Sequence, residues 1–121
     1  VIMDSPTTKL LKDLRKRLGP LGLPIHFKLP DASVTEPFLV VGGIISDTSK
    51  TAQTGLIIED STIQIDIFLS GNKSRGYAEN IKSQAIRLLG RSARTTSSIL
   101  MDNSIGREVY HIVIKTTETI L

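Results

Sequence analysis

The side chains able to do chemistry are few in this sequence. Cysteine is absent, which removes thiolate nucleophiles, thiolate metal ligands and disulfides together. The two histidines, His26 and His111, each sit isolated in an apolar run, with no patterned carboxylate or serine partner in the sequence. Two histidines without a patterned third ligand do not make a zinc site. General acid–base work would need Asp66, His26 or His111 to converge in a pocket, and nothing in their spacing asks for that. Gly42-Gly43 matches neither GxGxxG nor GxxxxGK[ST] and leads into no helix, so it is not a phosphate-binding turn. Asp102-Asn103-Ser104-Ile105-Gly106 lacks the alternate carboxylates and distal glutamate of a calcium loop. Asn72-Lys73-Ser74 has the letters of a glycosylation sequon, but Val-Ile-Met-Asp at the start lacks a signal peptide's basic region and apolar core. The expectation is a protein that is not an enzyme and uses no metal or cofactor.

With chemistry set aside, the charges carry the next clue. Residues 1–30 hold six Lys or Arg against two acidic residues, residues 31–70 one against six, and residues 71–121 eight against four. The net charge of +3 therefore conceals an acidic middle between two basic ends. Phosphate binding needs a continuous positive surface, so this pattern suits self-association better than nucleic-acid binding. The basic residues Lys9, Lys12, Arg15, Lys16 and Arg17 crowd the first helix, but no aromatic residue is interleaved to stack on bases. No apolar run approaches the roughly 18 residues of a membrane span.

The elements that must position these charges follow from periodicity. A single domain of 121 residues is expected, with a core built from Ile, Leu and Val because aromatic residues make up only 4%. Ser5-Pro6 opens a helix, Leu10, Leu11, Leu14 and Leu18 form its stripe, and Gly19-Pro20 closes it. Ile25–Leu29, bracketed by Pro24 and Pro30, reads as a short edge strand. Phe38–Ile45 reads as an interior strand with a bulge at Gly42-Gly43. Residues 46–55, the most polar stretch, read as a long mobile hairpin loop, and Leu56-Ile57-Ile58 follow as apolar residues in need of a partner.

Ser61–Leu69 alternates Ile63, Ile65, Ile67 and Leu69 with Thr62, Gln64, Asp66 and Phe68, the pattern of a strand with one apolar face. A second helix follows, capped by Ser74 or Asn72 and ended by Gly90, with Tyr77, Ile81, Ala85 and Leu88 on its apolar side and Leu89 at its edge. On that assignment Ile86 faces water. Ser97–Met101 and Arg107–Thr117 form a final hairpin, its second strand interior. The sum is an α+β domain: a single, mostly antiparallel β-sheet with two α-helices packed on one face.

Several of these segments together resemble the small tail-completion proteins of long-tailed bacteriophages, the tail-terminator or head-to-tail joining family. They are the leucine helix followed by Leu23-Pro24-Ile25, the extended Glu36-Pro37-Phe38-Leu39-Val40-Val41, the Ile63–Phe68 strand leading into Tyr77-Ala78-Glu79, and the terminal Tyr110–Ile114. The resemblance implies a structural virion protein, made in the bacterial cytoplasm and resident in the tail or neck. It implies a ring, commonly hexameric, that caps the tail tube protein and presents a surface to the head connector protein. A minor capsid or head-closure protein of the same virion, or a small nucleic-acid-binding module, is the alternative. The partners expected are other copies of the chain, the tube and the connector, with no membrane and no sequence-specific nucleic acid. A head-to-tail ring needs two different complementary patches on each subunit. The expected contact residues are Arg15, Lys50, Arg75 and Arg87 on the basic side, Asp47, Glu59 and Asp66 on the acidic side, and the outward Ile86.

Overall fold

The computed structural model describes residues 3–47, 59–90, 94–104 and 106–120. The first helix, α1, spans Pro6–Leu18. Ser5 stands before it in extended conformation and its Oγ accepts the Thr8 N–H at 3.0 Å, which satisfies one of the free first-turn amides. One 3₁₀ turn, Gly19–Leu21, follows, and Gly22 ends it in the left-handed region at φ 78°. The strands are β1 (Ile25–His26), β2 (Phe38–Asp47), β3 (Glu59–Ser70), β4 (Arg94–Asp102) and β5 (Val109–Ile120), with helix α2 (Arg75–Leu89) between β3 and β4. They make one sheet in the order β1-β2-β3-β5-β4. The β1–β2 pair is parallel and the other pairs are antiparallel. The fold is α+β, as expected.

Alternation decides which face is core. Ile63, Ile65, Ile67 and Leu69 of β3 are fully buried beneath the helices. They are joined by Leu39 and Val41 of β2, by Ile112 and Ile114 of β5, and by Leu10, Leu14 and Leu18 of α1. Both helices thus share one core on one side of the sheet. Each such aliphatic side chain stabilises the fold by about 1.5–3 kcal/mol relative to exposure.

The apolar side of α2 keeps the expected Ile81, Ala85, Leu88 and Leu89, but Ala78 takes the place expected for Tyr77. Ala78, Ala85 and Leu89 are the buried positions, whereas Tyr77 is exposed, its ring 5.7 Å from the Lys73 ammonium. Two alanines on the sheet side let the helix lie close to the strands, a packing that leaves no room for a tyrosine there. Ile86 packs against the edge of the core, so it does not stand out in water. Ser74, not Asn72, caps α2, accepting the Tyr77 N–H at 3.1 Å.

Elsewhere the boundaries shift for identifiable reasons. The β2–β3 register slips between Val41 and Ile44, which places the bulge at Gly42-Gly43 as expected. β1 holds only two residues, because Phe27 leaves the sheet edge and sits 5.2 Å from the Arg15 guanidinium. Ser46 and Asp47, expected in the 46–55 loop, continue β2; residues 48–58, with Lys50 and Leu56-Ile57-Ile58, lie outside the described residues. β4 begins at Arg94 rather than Ser97.

Candidate functional site

The strand ladders place charges at both ends of the sheet; in β4 Arg94, opposite Thr117, lies toward the Glu59 end and Asp102, opposite Val109, at the Ser70 end. In the β2–β3 ladder Asp47 pairs with Asp60, and Glu59 in turn pairs with Ile120 of β5. The backbone therefore gathers Asp47, Glu59 and Asp60 at one end. At the other end β3 finishes at Ser70, paired with Val109, and Arg75 opens α2 directly beyond. Arg75 is exposed, with Nε 3.3 Å from Glu79 one turn on. Arg87, near the end of α2, and Arg15, on α1, are exposed as well. Of the expected contact residues, the fold brings Asp47 and Glu59 together and sets Arg75 far from them.

Asp66 belongs to a different surface, the face of the sheet that no helix covers. There an aromatic row crosses four strands: His26 and Phe38 at 5.8 Å between ring centroids, Phe38 and Phe68 at 5.0 Å, Phe68 and His111 stacked at 4.5 Å. His111 Nε2 lies 2.8 Å from Asp66 Oδ1, and its Nδ1 lies 3.7 Å from Asp102 Oδ2. Gln64 donates from Nε2 to the same Asp66 carboxylate at 3.1 Å. Asp102 is held below the usual carboxylate range, first by the Ser104 backbone N–H, then by the Ser104 side chain, and to a smaller degree by His111. The expectation that His111 stands alone is corrected here. β3 and β5 are not consecutive, and only their register, Phe68 opposite His111, brings the imidazole beside Asp66.

A cleft of about 590 Å³ opens beside this pair, between the Phe27-Lys28-Leu29 segment and Val40, Gln64, Asp66 and Phe68. The imidazole is held in place by stacking on Phe68 and by the Asp66 carboxylate on Nε2, with Asp102 farther off on the Nδ1 side. Among the described residues no hydroxyl hydrogen-bonds to it, and no cluster of metal-ligating side chains forms. The arrangement fixes a polar patch on an apolar floor; it does not present an activated nucleophile.

Two arginines that the sequence reading gave no individual role hold the domain together. Arg107 reaches across to the segment before β2, donating to the Ala32 and Val34 carbonyls at 3.0 and 2.9 Å and to both oxygens of Glu36 at 2.7–2.9 Å. That contact keeps the Glu36 carboxyl below its ordinary pKa against the opposing effect of burial. Arg17 donates to the Leu89 carbonyl at the end of α2 at 2.6 Å and to both Glu118 oxygens at 2.7 and 3.1 Å. Its guanidinium pKa is raised, chiefly by the Glu118 hydrogen bonds. Arg17 therefore ties α1, α2 and β5 at one point and is withdrawn from the basic face of α1.

In comparison with known proteins, the chain matches no protein-family model and no curated protein sequence.

Proposed function

We propose that the chain is a structural protein of virion assembly, a tail-terminator or head-to-tail joining protein of a long-tailed bacteriophage. In this reading it forms a ring, six copies round in the family it resembles, that caps the tail tube and offers its outer side to the head connector. The observation that supports it is that β2 and β3 gather Asp47, Glu59 and Asp60 at one end while the exposed Arg75 follows the other, although β4 runs the opposite way with Arg94 and Asp102. A closed ring of identical subunits joins one patch to a different one on the neighbour, and two patches of opposite sign at opposite ends meet that requirement. A two-fold dimer would need one self-complementary patch instead. No chemistry is assigned to the Asp66–His111 pair.

The test is charge reversal with rescue. Purified protein is mixed with tail tubes that lack a terminator, and capped ends are counted by negative-stain microscopy. Glu59→Lys is expected to abolish capping, and adding Arg75→Glu in the same chain to restore it. Capping by Glu59→Lys at the unaltered level would remove this pairing of ends.

A further inference from the structure

The outer edge of β4 is the largest feature of the fold that the proposed ring leaves unused. We propose that this edge pairs with the β4 edge of a second copy, the two strands running antiparallel about a two-fold axis at Ser98 so that two five-stranded sheets become one.

The first support is what the edge lacks. Sheet edges are normally kept short or interrupted by proline, lysine or a bulge, because a row of open N–H and C=O groups recruits other strands. β1, at the opposite edge, follows that rule with two residues between Pro24 and Pro30. β4 does not. It runs nine residues, RTTSSILMD, with neither proline nor lysine, in unbroken register with β5 from Arg94 opposite Thr117 to Asp102 opposite Val109. Among the described residues no backbone group bonds to its outer side. Leu100 and Met101, 54% and 48% exposed, stand on its two faces next to that side.

The second support identifies the partner. β4 carries a cation at its first residue and an anion at its last, Arg94 and Asp102, with no charge between. A strand with that layout complements itself in one antiparallel register: Arg94 faces Asp102, Thr95 faces Met101, Thr96 faces Leu100, Ser97 faces Ile99, and Ser98 faces its own copy. Opposite charges directly across an antiparallel pair are favourable, and like charges unfavourable. A parallel arrangement in the same span would set Arg94 on Arg94 and Asp102 on Asp102. Arg94 also interacts within its own chain, and a guanidinium's five donors allow both. The contact is isologous, so it closes at two copies and does not itself build a ring. It is independent of the ring reading; combined with it, the two-fold would stack two rings.

Single cysteines test the register, since the chain has none of its own. Directly opposed Cβ atoms in such a pair lie about 4.5–5.5 Å apart, close to disulfide reach, whereas residues displaced by four positions lie roughly 14 Å apart. Ser98→Cys is expected to give a covalent dimer under mild oxidation, about ten-fold faster than Thr96→Cys or Leu100→Cys alone. Mixing Thr96→Cys with Leu100→Cys is expected to restore rapid linking. Wild-type protein is expected to sediment as a concentration-dependent dimer. Folded Ser98→Cys that links no faster than the other two, or wild-type protein that stays monomeric to millimolar concentration, would overturn the proposal.

Discussion

Replacing Arg17 with methionine should remove a polar tie between both helices and the sheet. The arginine side chain is 23% exposed and its Glu118 partner 15%, so both charges are largely out of water. Arg17→Met keeps most of the aliphatic stem and leaves the Glu118 carboxylate and the Leu89 carbonyl without their donors. Stranding one member of a buried ion pair costs about 3–5 kcal/mol. The remaining exposure lets water reach Glu118, which brings the expected loss to about 3 kcal/mol. With a urea slope of about 2 kcal/mol per molar for a domain of this size, the unfolding midpoint falls by about 1.5 M. Arg17→Met with Glu118→Met removes both charges at once and should recover all but about 1 kcal/mol. A single variant within 1 kcal/mol of wild type, or a double variant less stable than the single one, would refute the assignment of Arg17 as the three-element tie.

Three further outcomes are expected. Gly71→Ala should lower the thermal midpoint by roughly 5–15 °C, because the new Cβ would lie 2.5 Å from the Glu108 carbonyl oxygen and the backbone there must move; an unchanged midpoint in calorimetry would contradict that contact. Ser61→Ala should leave stability unchanged or raise it by up to about 1 kcal/mol, since Ser61 Oγ is fully buried with no hydrogen-bond partner among the described residues; a clear loss in chemical denaturation would show that the hydroxyl does have one. Glu36, its pKa depressed by Arg107, contributes stability that is fully present above its ordinary value of 4.5 and lost as pH falls through its lower folded-state value. Wild type should therefore exceed Glu36→Gln at pH 7, with the gap closing below about pH 4.5; a gap constant with pH would refute this coupling.

What could be read in the sequence was local. The alternation of Ile63, Ile65, Ile67 and Leu69, the capping serines Ser5 and Ser74, and the bulge at Gly42-Gly43 each depend on neighbours a few residues away, and each came out as read. The exchange of Tyr77 for Ala78 on the core side of α2 was not legible, because alanine and tyrosine both pass as apolar in a pattern, and only the closeness of α2 to the sheet selects between them. The rest depends on register between distant segments. Arg17 meets Glu118 across 101 positions, Arg107 meets Glu36 across 71, and His111 meets Asp66 across 45. Isolated in sequence, His111 has a carboxylate on either side in the fold, and no periodicity announces that. The expected acidic cluster was half legible: the antiparallel register of β2 and β3 sets Asp47 and Glu59 at one end of the sheet, while Asp66, seven residues on, falls on the helix-free face.

The proposal of a tail-closing ring is tested most directly by imaging the protein with tail tubes that lack a terminator. The account predicts a ring of identical subunits at one end of each tube and an arrest of further tube growth, both weakening as salt screens the opposed charges. Protein that stays folded yet leaves tube ends bare and growing at every ionic strength would contradict it.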